Sequence, residues 1–358
     1  MVIGVVMAMP VPVLSPAFYA LFPPARVKTI LVHNKDQPIG DAFIQASFFH
    51  ALRCLFPEAH ITFAVSIGGS AYGGSLRTVM APYIDEVLAD AALCLKREQM
   101  YPMTPRPLDG RRFDLVIDME KKWWRSLAVR RIRSRVFVSA ARHFLFSDCW
   151  PRSWRKPAHL GDQYHMLLDA LRVRRRAAVP PPVWRDEVCE SRSRDMLPDG
   201  PRYVGLVPGA GDQGKRWPLD RFTALAQSIA AEGGTPVFIL GPQERPWLES
   251  LRASVSGALF PGEDGGGLTD PLQTVALGRR LAAAVTNDCG TAHMLAAGAT
   301  PLVALFGYTN PVKYAPRTPE LTVIRAHDFG GTTPEVIPLD AVKKALADLC
   351  LGTAPAQP

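Results

Sequence analysis

The sequence predicts an α/β protein with two domains, each built on an open parallel sheet. Short apolar runs alternate with segments of helical periodicity, and polar turns rich in Gly and Asp follow several of the apolar runs. Strand, polar turn, helix and strand in that order form the repeating unit of a parallel sheet. A length of 358 residues suits two domains of ordinary size, each with its own core.

The composition is that of a globular protein without a membrane span. Hydrophobic residues make up 47% and charged residues 21% of the chain, and no apolar run is long enough to cross a bilayer. The six cysteines are scattered without a C-x-x-C pair, which favours reduced thiols. We therefore expect a cytoplasmic protein.

Residues 1–27 form an apolar leader that we expect to be mobile. The leader lacks an early basic segment and contains Pro10, Pro12 and Pro16, so it fits neither a signal peptide nor a spanning helix. A segment that adheres to a surface is the alternative.

Positive charge is concentrated in the first half of the chain. Residues 1–183 contain 25 Lys and Arg against 14 Asp and Glu, a net of +11, whereas residues 184–358 contain 16 against 19, a net of −3. Such an excess suggests an anionic partner, and nucleic acid, acidic lipid headgroups and a phosphorylated saccharide all qualify. A solvated basic surface without a ligand is the simpler alternative.

The first βαβ unit places Gly40 and Asp41 at the start of a helix. Strands are predicted at 29–33 and 60–65, and the apolar residues between them follow helical spacing over 42–56. Asp41 thus lies beyond the carboxyl end of a strand, where open α/β sheets bind ligands. Asp41 is either a helix cap or a general base.

Basic residues follow the next predicted strand, at 113–118. Lys121 and Lys122 come shortly after it, and arginines recur among apolar residues from 125 to 135. The arginine pattern fits a basic amphipathic helix or a solvated helix face. Three prolines at 180–182 form a stiff connector and predict the domain boundary.

A glycine-rich loop follows the first strand of the second half, predicted at 203–207. The loop runs from Pro208-Gly209 to Lys215-Arg216-Trp217-Pro218, so its backbone can approach an anion closely and Lys215 adds a positive charge. It is not the G-x-x-x-x-G-K-[ST] phosphate loop, because Arg216 occupies the Ser/Thr position. Glu244, after a strand at 236–240, either binds ribose hydroxyls or lies on the surface. Further helices are predicted at 218–231, 271–281 and 339–351.

The stretch from 281 to 307 predicts a phosphate site. An apolar strand ends at Asn287-Asp288-Cys289-Gly290, an alanine-rich helix begins at Thr291, and a strand covers 302–306. Gly290 permits a sharp turn and leaves the first N–H groups of the helix open to an anion. An ordinary turn, with Asp288 as a cap and His293 packed, explains the pattern equally well.

Together these signals resemble the glycosyltransferase family 9 heptosyltransferases. The matching motifs are Gly40-Asp41, Leu52 with Pro57, Pro208-Gly209, Lys215-Arg216-Trp217-Pro218, Gly241 with Glu244, Asn287-Asp288-x-Gly290-x-x-His293, and Pro301 with Gly307. The combination of Lys-x-Trp-Pro with Asp-x-Gly-x-x-His is specific, whereas each motif alone is weak. Two departures concern the acceptor side, because the loop at 34–38 lacks the family's Arg-Leu-Gly and the leader has no counterpart.

The resemblance implies a GT-B fold, in which two Rossmann-like domains face each other across a cleft. It implies an acceptor-binding domain at 28–180, a nucleotide-sugar-binding domain at 181–338, and a last helix at 339–351 that packs back on the N-terminal domain. The implied activity is inverting transfer of a heptose from ADP-heptose to a saccharide acceptor, first of all the lipopolysaccharide inner core. The acceptor domain is the basic half of the chain, which suits phosphates and acidic sugars.

The resemblance also implies roles for individual residues. Asp41 is the catalytic base. The donor-binding residues are Gly209, Lys215, Glu244, Asp288, Gly290, Thr291, Ala292 and His293. Lys121, Lys122 and Arg125 are the candidates for binding the acceptor. No metal and no cofactor is implied, since the nucleotide sugar is a substrate and Lys215 with the N–H groups of residues 290–292 would meet the diphosphate charge.

Three alternatives stay open from the sequence. A member of the family could use another nucleotide sugar and a natural-product or protein acceptor. A nucleotide-sugar 2-epimerase shares the two-domain fold, although Lys-x-Trp-Pro belongs to the transferases. A non-catalytic binding protein at the inner membrane would also explain the basic half. The expected partners are a nucleotide sugar and an anionic saccharide or lipopolysaccharide, without nucleic acid, and peripheral association with the cytoplasmic face of the inner membrane is left open.

Overall fold

The computed structural model describes residues 24–153, 155–173, 177–263 and 267–352. Most of the apolar leader therefore lies outside the described residues, as do the arginines at 174–176, so the expectations for the leader stay predictions. In the described part of the chain, no helix is both long and apolar enough to cross a membrane.

The first sheet is parallel and has a Rossmann-like strand order. Its strands are β1 (Thr29–Asn34), β2 (His60–Val65), β3 (Glu86–Leu88), β4 (Arg112–Asp118) and β5 (Arg133–Ser139). Within the described residues they are arranged β3-β2-β1-β4-β5, so the chain changes direction across the sheet between β1 and β4.

Helices cover the first sheet and form its core. They are α1 (Ile39–Leu55), α2 (Arg77–Met80), α3 (Trp123–Arg130) and α4 (Leu160–Leu171). The Phe49 ring of α1 meets the Phe63 ring of β2 edge to face, with centroids 5.1 Å apart, a favoured aromatic geometry. This packing fixes α1 against the sheet and so fixes the position of its N-terminus, which carries Asp41.

The basic stretch from 125 to 135 is not one helix. The helix α3 ends at Arg130, and β5 begins at Arg133. The β-branched and aromatic run of Val136, Phe137 and Val138 is buried in the sheet and favours a strand. The interpretation as a single basic amphipathic helix is therefore wrong.

The second sheet repeats the parallel arrangement. Its strands are β6 (Tyr203–Val207), β7 (Thr235–Phe238), β8 (Ala283–Asn287), β9 (Leu302–Phe306) and β10 (Leu321–Arg325). In the described chain they are arranged β10-β9-β8-β6-β7, and the change of direction falls between β6 and β8. The strands of the two sheets lie on either side of the prolines at 180–182, while the predicted domain limits themselves stay a prediction.

The helices of the second half of the chain surround the second sheet, and two of them also contact the first domain. They are α5 (Glu187–Met196), α6 (Leu219–Ala231), α7 (Leu248–Ser254), α8 (Pro271–Gly278), α9 (Gly290–Ala297), α10 (Pro311–Tyr314) and α11 (Leu339–Gly352). Cys189 of α5 and Leu272 of α8 are buried in the core cluster of the first domain. The two domains thus share apolar contacts as well as a cleft.

The last helix packs its apolar face on the second sheet. Val342, Leu346 and Leu349 of α11 are buried with Val285 and Leu305 in the core of the second sheet. Their spacing of four and three residues forms one apolar helix face, and the exposed edge of the second core accommodates that face. The packing of residues 339–351 on the N-terminal domain stays a prediction.

Candidate active site

The predicted site residues follow the strands that border the switch point of each sheet, where the strand order reverses. Asp41 comes after β1 and Lys121 after β4. In the other domain, Lys215 comes after β6 and Asp288 after β8. Open α/β sheets bind ligands at the carboxyl ends of such strands, so each domain presents its polar residues at its own switch point.

Two helix N-termini meet where the domains face each other. A Cβ atom on Gly40 of α1 would lie 3.0 Å from the Gly290 Cα of α9, and a Cβ on Gly290 would lie 3.3 Å from the Gly40 backbone nitrogen. Such distances leave little room for a side chain on either residue. The two glycines therefore allow the N-terminus of α1, with Asp41, to approach the N-terminus of α9.

Asp41 is a half-buried carboxylate surrounded by lysines. Burial raises the pKa of Asp41 above its ordinary value, and the negative charge of Asp36 adds to this effect, while Lys121, Lys313 and Lys215 oppose it. Among the described residues, no hydrogen-bond donor or ion-pair partner contacts the Asp41 carboxylate. A carboxylate held in this way is available to accept a proton from a substrate.

Lys215 and Asp288 form a partly buried ion pair. Lys215 Nζ lies 2.8 Å from Asp288 Oδ2, with side chains 25% and 8% exposed. The same Asp288 oxygen accepts a hydrogen bond of 2.7 Å from the Thr309 hydroxyl. Asp288 therefore orients Lys215, and Thr309, which the sequence did not point to, orients Asp288.

Asn287 attaches the glycine-rich loop to the end of β8. Its side-chain amide donates to the Pro208 carbonyl oxygen at 2.8 Å and accepts from the Trp217 backbone N–H at 3.0 Å. The Trp217 indole, 1% exposed, donates to the Ile337 carbonyl oxygen at 2.9 Å. Both ends of the loop that carries Lys215 are thereby held in place.

Gly209 and Glu244 are packed against each other. A Cβ on Gly209 would lie 2.6 Å from the Glu244 carboxylate, so a side chain at position 209 would displace that carboxylate. Glu244 is buried, and one of its oxygens accepts a hydrogen bond of 3.1 Å from the Gly241 N–H. The carboxylate thus lies directly beneath the backbone of the glycine-rich loop.

The N-terminus of α9 points its first N–H groups into the cleft region beside Gly40. The Ala292 N–H donates to the Cys289 carbonyl oxygen at 3.2 Å, and the Thr291 N–H interacts with the Cys289 sulfur, whereas the N–H of Gly290 has no acceptor among the described residues. A helix N-terminus with open N–H groups favours an anion. Of the three predicted N–H donors, those of residues 290–292, the described structure leaves the Gly290 N–H open.

His293 is a neutral side chain at the contact between the domains. Burial lowers the pKa of His293 to about 4, despite the nearby charge of Asp288. Its Cδ2 atom lies close to Gly40, at 3.4 Å from where a Cβ on that glycine would be. His293 therefore packs between α9 and α1 and is uncharged at neutral pH.

The three predicted acceptor-binding residues differ in their surroundings. Lys121 is an exposed residue, but desolvation of its ammonium group, together with repulsion from Lys313 and Lys156, lowers the pKa of Lys121 to about 8. Arg125 instead forms an ion pair of 2.9 Å with Glu120. Lys122 is exposed next to α3. The structure thus brings Lys121 into the site and commits Arg125 to a contact within its own domain.

Lys313 is a site residue that sequence reasoning missed. It lies on α10, after β9, and its charge acts on both Asp41 and Lys121 of the other domain. Its position beyond the carboxyl end of a strand was the available signal.

Among the described residues, no group of three or more His, Cys, Asp and Glu side chains is arranged to hold a metal ion.

The sequence match to a known family decides the class of protein. The profile described as glycosyltransferase family 9 (heptosyltransferase) matches residues 104–337, which is more than half of the chain. The chain belongs to glycosyltransferase family 9. It is therefore a glycosyltransferase enzyme.

Curated family 9 relatives are similar over part of their length. The chain is 26% identical over 234 residues to lipopolysaccharide heptosyltransferase 3 of Escherichia coli, covering 62% of this chain and 67% of that protein. It is 32% identical over 124 residues to lipooligosaccharide heptosyltransferase 2 of Haemophilus influenzae, covering 34% of this chain and 36% of that protein.

Solved family 9 structures have the same fold over nearly the whole chain. A glycosyl transferase family 9 protein from Veillonella parvula matches with a TM-score of 0.67 and 22% identity, covering 91% of this chain and 97% of that one. The E. coli ADP-heptose lipopolysaccharide heptosyltransferase II matches with a TM-score of 0.66 and 19% identity, covering 92% and 100%. An E. coli heptosyltransferase solved with ADP matches with a TM-score of 0.62 and 15% identity, covering 90% and 99%. The GT-B architecture of this family 9 enzyme is thereby confirmed.

Proposed function

We propose that this enzyme transfers a heptose from ADP-heptose to a saccharide acceptor of lipopolysaccharide, the inner core in particular, with inversion at the anomeric carbon. The names of the curated relatives support the sugar and the acceptor, since they are lipopolysaccharide and lipooligosaccharide heptosyltransferases. The structural similarity to an ADP-heptose enzyme supports the donor. The basic N-terminal half, with its net of +11, suits an acceptor that bears phosphates or acidic sugars.

The observation that carries the proposal is the position of Asp41. Its carboxylate has no partner within the described residues, is half-buried, and belongs to the helix that touches the N-terminus of α9 through Gly40 and Gly290. An acceptor hydroxyl beside Asp41 would therefore face a donor whose diphosphate lies against α9. Donor and acceptor bound in this geometry would already have their reacting atoms close together and oriented for attack.

The reaction is a single displacement. The acceptor oxygen attacks the anomeric carbon from the side opposite the nucleotide, and Asp41 accepts the hydroxyl proton as the new C–O bond forms. The bond from the anomeric carbon to the diphosphate oxygen breaks, and ADP leaves with the bonding electron pair. One displacement of this kind inverts the configuration.

Positive groups of the second domain stabilise the leaving diphosphate. Lys215, oriented by Asp288, and the open N–H group of Gly290 provide preorganised donors for its developing charge. In this proposal Glu244 binds the ribose, and neither a metal ion nor a cofactor takes part. A transfer rate that is unchanged after treatment with EDTA is expected, and a rate restored only by a divalent ion would contradict this part.

The direct test is transfer by the purified enzyme. ADP-heptose is supplied with heptose-deficient lipopolysaccharide core, the product is detected by mass spectrometry, and the new anomeric configuration is read by NMR. ADP-glucose, GDP-mannose and UDP-glucose serve as competing donors. Transfer from one of these in place of ADP-heptose, or retention of configuration, would refute the corresponding part of the proposal.

Asp41→Asn tests the base without changing the shape of the side chain. We expect kcat to fall by about 10² to 10⁴ because general-base catalysis is lost, while ADP binding measured by calorimetry stays within about twofold. A variant that keeps near wild-type kcat would show that another group accepts the proton.

Lys215→Met tests the donor contact. We expect ADP to bind at least about tenfold more weakly, because a charge-assisted contact to phosphate is lost. Asp288 loses its ion-pair partner in this variant, so Lys215→Arg, which keeps the charge, is the matched control. Equal ADP affinity in the wild type and Lys215→Met would remove Lys215 from the donor site.

A further inference from the structure

The imidazole ring of His159 connects the two domains. His159 directly precedes α4, and its Nδ1 accepts a hydrogen bond of 3.1 Å from the Gly161 backbone N–H. On the other side of the ring, Nε2 lies 3.1 Å from the carbonyl oxygen of Ala315, which follows α10 in the second domain. A carbonyl oxygen can only accept, so the neutral tautomer with its proton on Nε2 satisfies both contacts.

The ring of His159 has little freedom to leave this position. It is half-buried, and its bond to Gly161 caps the first turn of α4, which satisfies an N–H group that the helix itself cannot. A Cβ on Gly161 would lie 3.2 Å from His159 Nδ1, a tight contact. The missing side chain at position 161 therefore lets the ring approach the helix while Nε2 faces the other domain.

Two further contacts hold the same segment of the second domain on the first. The Arg317 guanidinium donates to Asp162 of α4 at 2.6 Å, but the two side chains are 61% and 46% exposed, and water and salt screen an exposed ion pair. The Tyr314 side chain packs against the core cluster of the first domain. The bond from His159 to Ala315 is the less exposed of the two polar contacts, so we expect it to contribute more.

The same segment is attached at its other end to donor-binding residues. The Tyr308 hydroxyl donates to Asp212 of the glycine-rich loop at 2.7 Å, and the Thr309 hydroxyl donates to Asp288 at 2.7 Å. Asp288 belongs to the ion pair assigned above to the donor diphosphate. Residues 308–317, hereafter the bridging segment, therefore extend from the donor site to the N-terminus of α4.

Lys313 lies within the bridging segment. Its Nζ donates to the Tyr314 hydroxyl at 2.5 Å and lies 4.4 Å from the centroid of that ring, so the position of the Lys313 charge follows that of Tyr314. This charge acts on Asp41 of the first domain. How close it comes to the Asp41 carboxylate depends on how the bridging segment is held against α4.

Other charged and phenolic side chains also act on Asp41. They come from both domains and are Asp36, Lys121, Lys215, Tyr72 and Tyr164. None of these five lies on the bridging segment, and Lys215 is held by its own ion pair with Asp288. A change in the contact between the bridging segment and α4 should therefore move the charge of Lys313 and leave the other groups in place.

We propose that His159 is a positioning residue for the transfer reaction: its bond to Ala315 holds the bridging segment on the first domain and so fixes Lys313 beside Asp41. The proposal rests on the transferase function proposed above, and His159 acts through Lys313 rather than on a substrate. Loss of the bond should leave donor binding intact, because the other end of the bridging segment keeps its contact with Asp288.

Two substitutions of His159 separate the contact between the domains from the helix cap. His159→Asn keeps a side-chain acceptor that can cap α4, but the side chain is too short to reach Ala315. His159→Gln places its amide nitrogen close to the position of Nε2 and can restore the bond. His165→Asn is the matched control, since His165 lies on the same helix and its Nε2 contacts the Ser47 hydroxyl within the first domain at 3.2 Å.

We expect His159→Asn to lower kcat/KM for the acceptor about tenfold, the order expected when a catalytic arrangement is slightly misplaced. Because the positive charge of Lys313 moves away, the pKa of Asp41 rises and the acid limb of kcat/KM shifts to higher pH, as in Lys313→Met. Adding Lys313→Met to His159→Asn should produce no further shift, since both substitutions act through the same charge. His159→Gln should regain most of the activity, and His165→Asn should behave as the wild type.

A purely structural role of His159 would give a different result. His159→Asn would then lower the melting temperature, or lower kcat/KM equally at every pH, without moving the acid limb. That result would overturn the proposal, as would a shift that adds to the shift of Lys313→Met, or equal kinetics in His159→Asn and His165→Asn.

Hydrogen exchange tests the contact between the domains without heptose transfer. The amides of residues 313–315 are hydrogen-bonded within the turn of α10 and exchange when that turn opens. Mass spectrometry of peptides from the bridging segment should show faster exchange in His159→Asn than in the wild type, His159→Gln and His165→Asn. If this difference is found but the wild type transfers no heptose, the transferase function fails and the contact stands. If heptose is transferred while the exchange and the acid limb are unchanged, the positioning role alone is refuted.

Discussion

At the residue scale, the charge around Asp41 sets the pH at which it works as a base. Burial and Asp36 raise its pKa, and three lysines lower it. A base must be deprotonated to accept a proton, so the acid limb of kcat/KM is expected above the ordinary pKa of 3.8 for an aspartate.

Charge changes next to Asp41 should move this acid limb in opposite directions. Asp36→Asn removes a negative charge, lowers the pKa of Asp41 and shifts the limb to lower pH. Lys313→Met removes a positive charge, raises that pKa and shifts the limb to higher pH. The measurement is the pH profile of kcat/KM. A shift of the same sign in both variants would show that another group controls the limb.

Another residue-scale feature is a buried polar network beneath the acceptor side. His33 Nδ1 lies 2.8 Å from Asp118 Oδ1, and His33 Nε2 lies 2.8 Å from the Ser66 hydroxyl. The Ser139 hydroxyl donates to the other Asp118 oxygen at 3.0 Å. Burial alone would lower the pKa of His33, but the hydrogen bonds with Asp118 and Cys94 raise it to about 9. The imidazolium therefore persists in the fold at neutral pH.

This network predicts a loss of stability at alkaline pH. The pKa of His33 is higher in the folded protein, about 9, than its ordinary 6.5, so its contribution is complete below pH 6.5 and is lost as the pH rises through 9. The slope for one proton is at most about 1.4 kcal/mol per pH unit. Urea unfolding of the wild type and His33→Gln should give free energies that differ less at pH 9.5 than at pH 6.5. A difference independent of pH would contradict this linkage.

At the element scale, the contact between the N-termini of α1 and α9 joins the two substrate sites. Gly40 and Gly290 leave no space for a Cβ atom without a small displacement of backbone. The strand order explains the contact, because α1 follows β1 and α9 follows β8, and each of these strands borders the switch point of its sheet.

Gly40→Ala should therefore impair catalysis more than folding. A methyl group 3.0 Å from the Gly290 Cα must push the two helices apart by a fraction of an ångström, and a misplaced base lowers kcat/KM by about tenfold. Alanine favours a helix over glycine by up to about 1 kcal/mol, so the melting temperature should not fall greatly. Gly69→Ala, where a Cβ meets nothing within 4 Å, is the control. Equal kinetics in the two variants would show that the contact does not position Asp41.

Sequence patterns predicted some of the strands accurately and missed others. The strands at 29–33, 60–65, 203–207 and 302–306 were found within one residue of their bounds, because each is a compact apolar run. The short β3 and the arginine-rich start of β5 were missed, since their stability comes from pairing with β2 and β4 rather than from local pattern. Within β5, only the segment from Val136 to the end of the strand shows a local sequence pattern typical of a strand.

At the scale of the whole molecule, the charge division should appear in the salt dependence of the two substrates. The Debye length falls from about 30 Å at 0.01 M salt to about 8 Å at 0.15 M, which screens an exposed basic surface more than a partly buried contact. KM for an anionic acceptor should therefore rise with salt more steeply than KM for ADP-heptose, whose proposed contact Lys215 is 25% exposed. Equal salt responses would show that the net of +11 in residues 1–183 does not act on the acceptor.

Local sequence is sufficient for much of this protein. Periodicity and turn chemistry predicted two parallel sheets, and the spaced motifs predicted a glycosyltransferase of family 9, now confirmed. Each strand, helix and motif is a pattern of residues close together in the chain, and the order of the motifs is read from the sequence, so neither requires knowledge of a long-range contact. The assigned roles of Asp41, Lys215 and Glu244 stay predictions that the geometry supports.

The features that the sequence did not predict depend on contacts between segments far apart in the chain. The packing of α11 on the second sheet and the electrostatic effect of Lys313 on Asp41 each involve residues far apart in sequence. No local pattern encodes them, because a side chain's neighbours across a domain or a cleft depend on how all the helices and sheets pack together. The fold therefore follows from short-range pattern, whereas the electrostatics of the site follow from long-range packing.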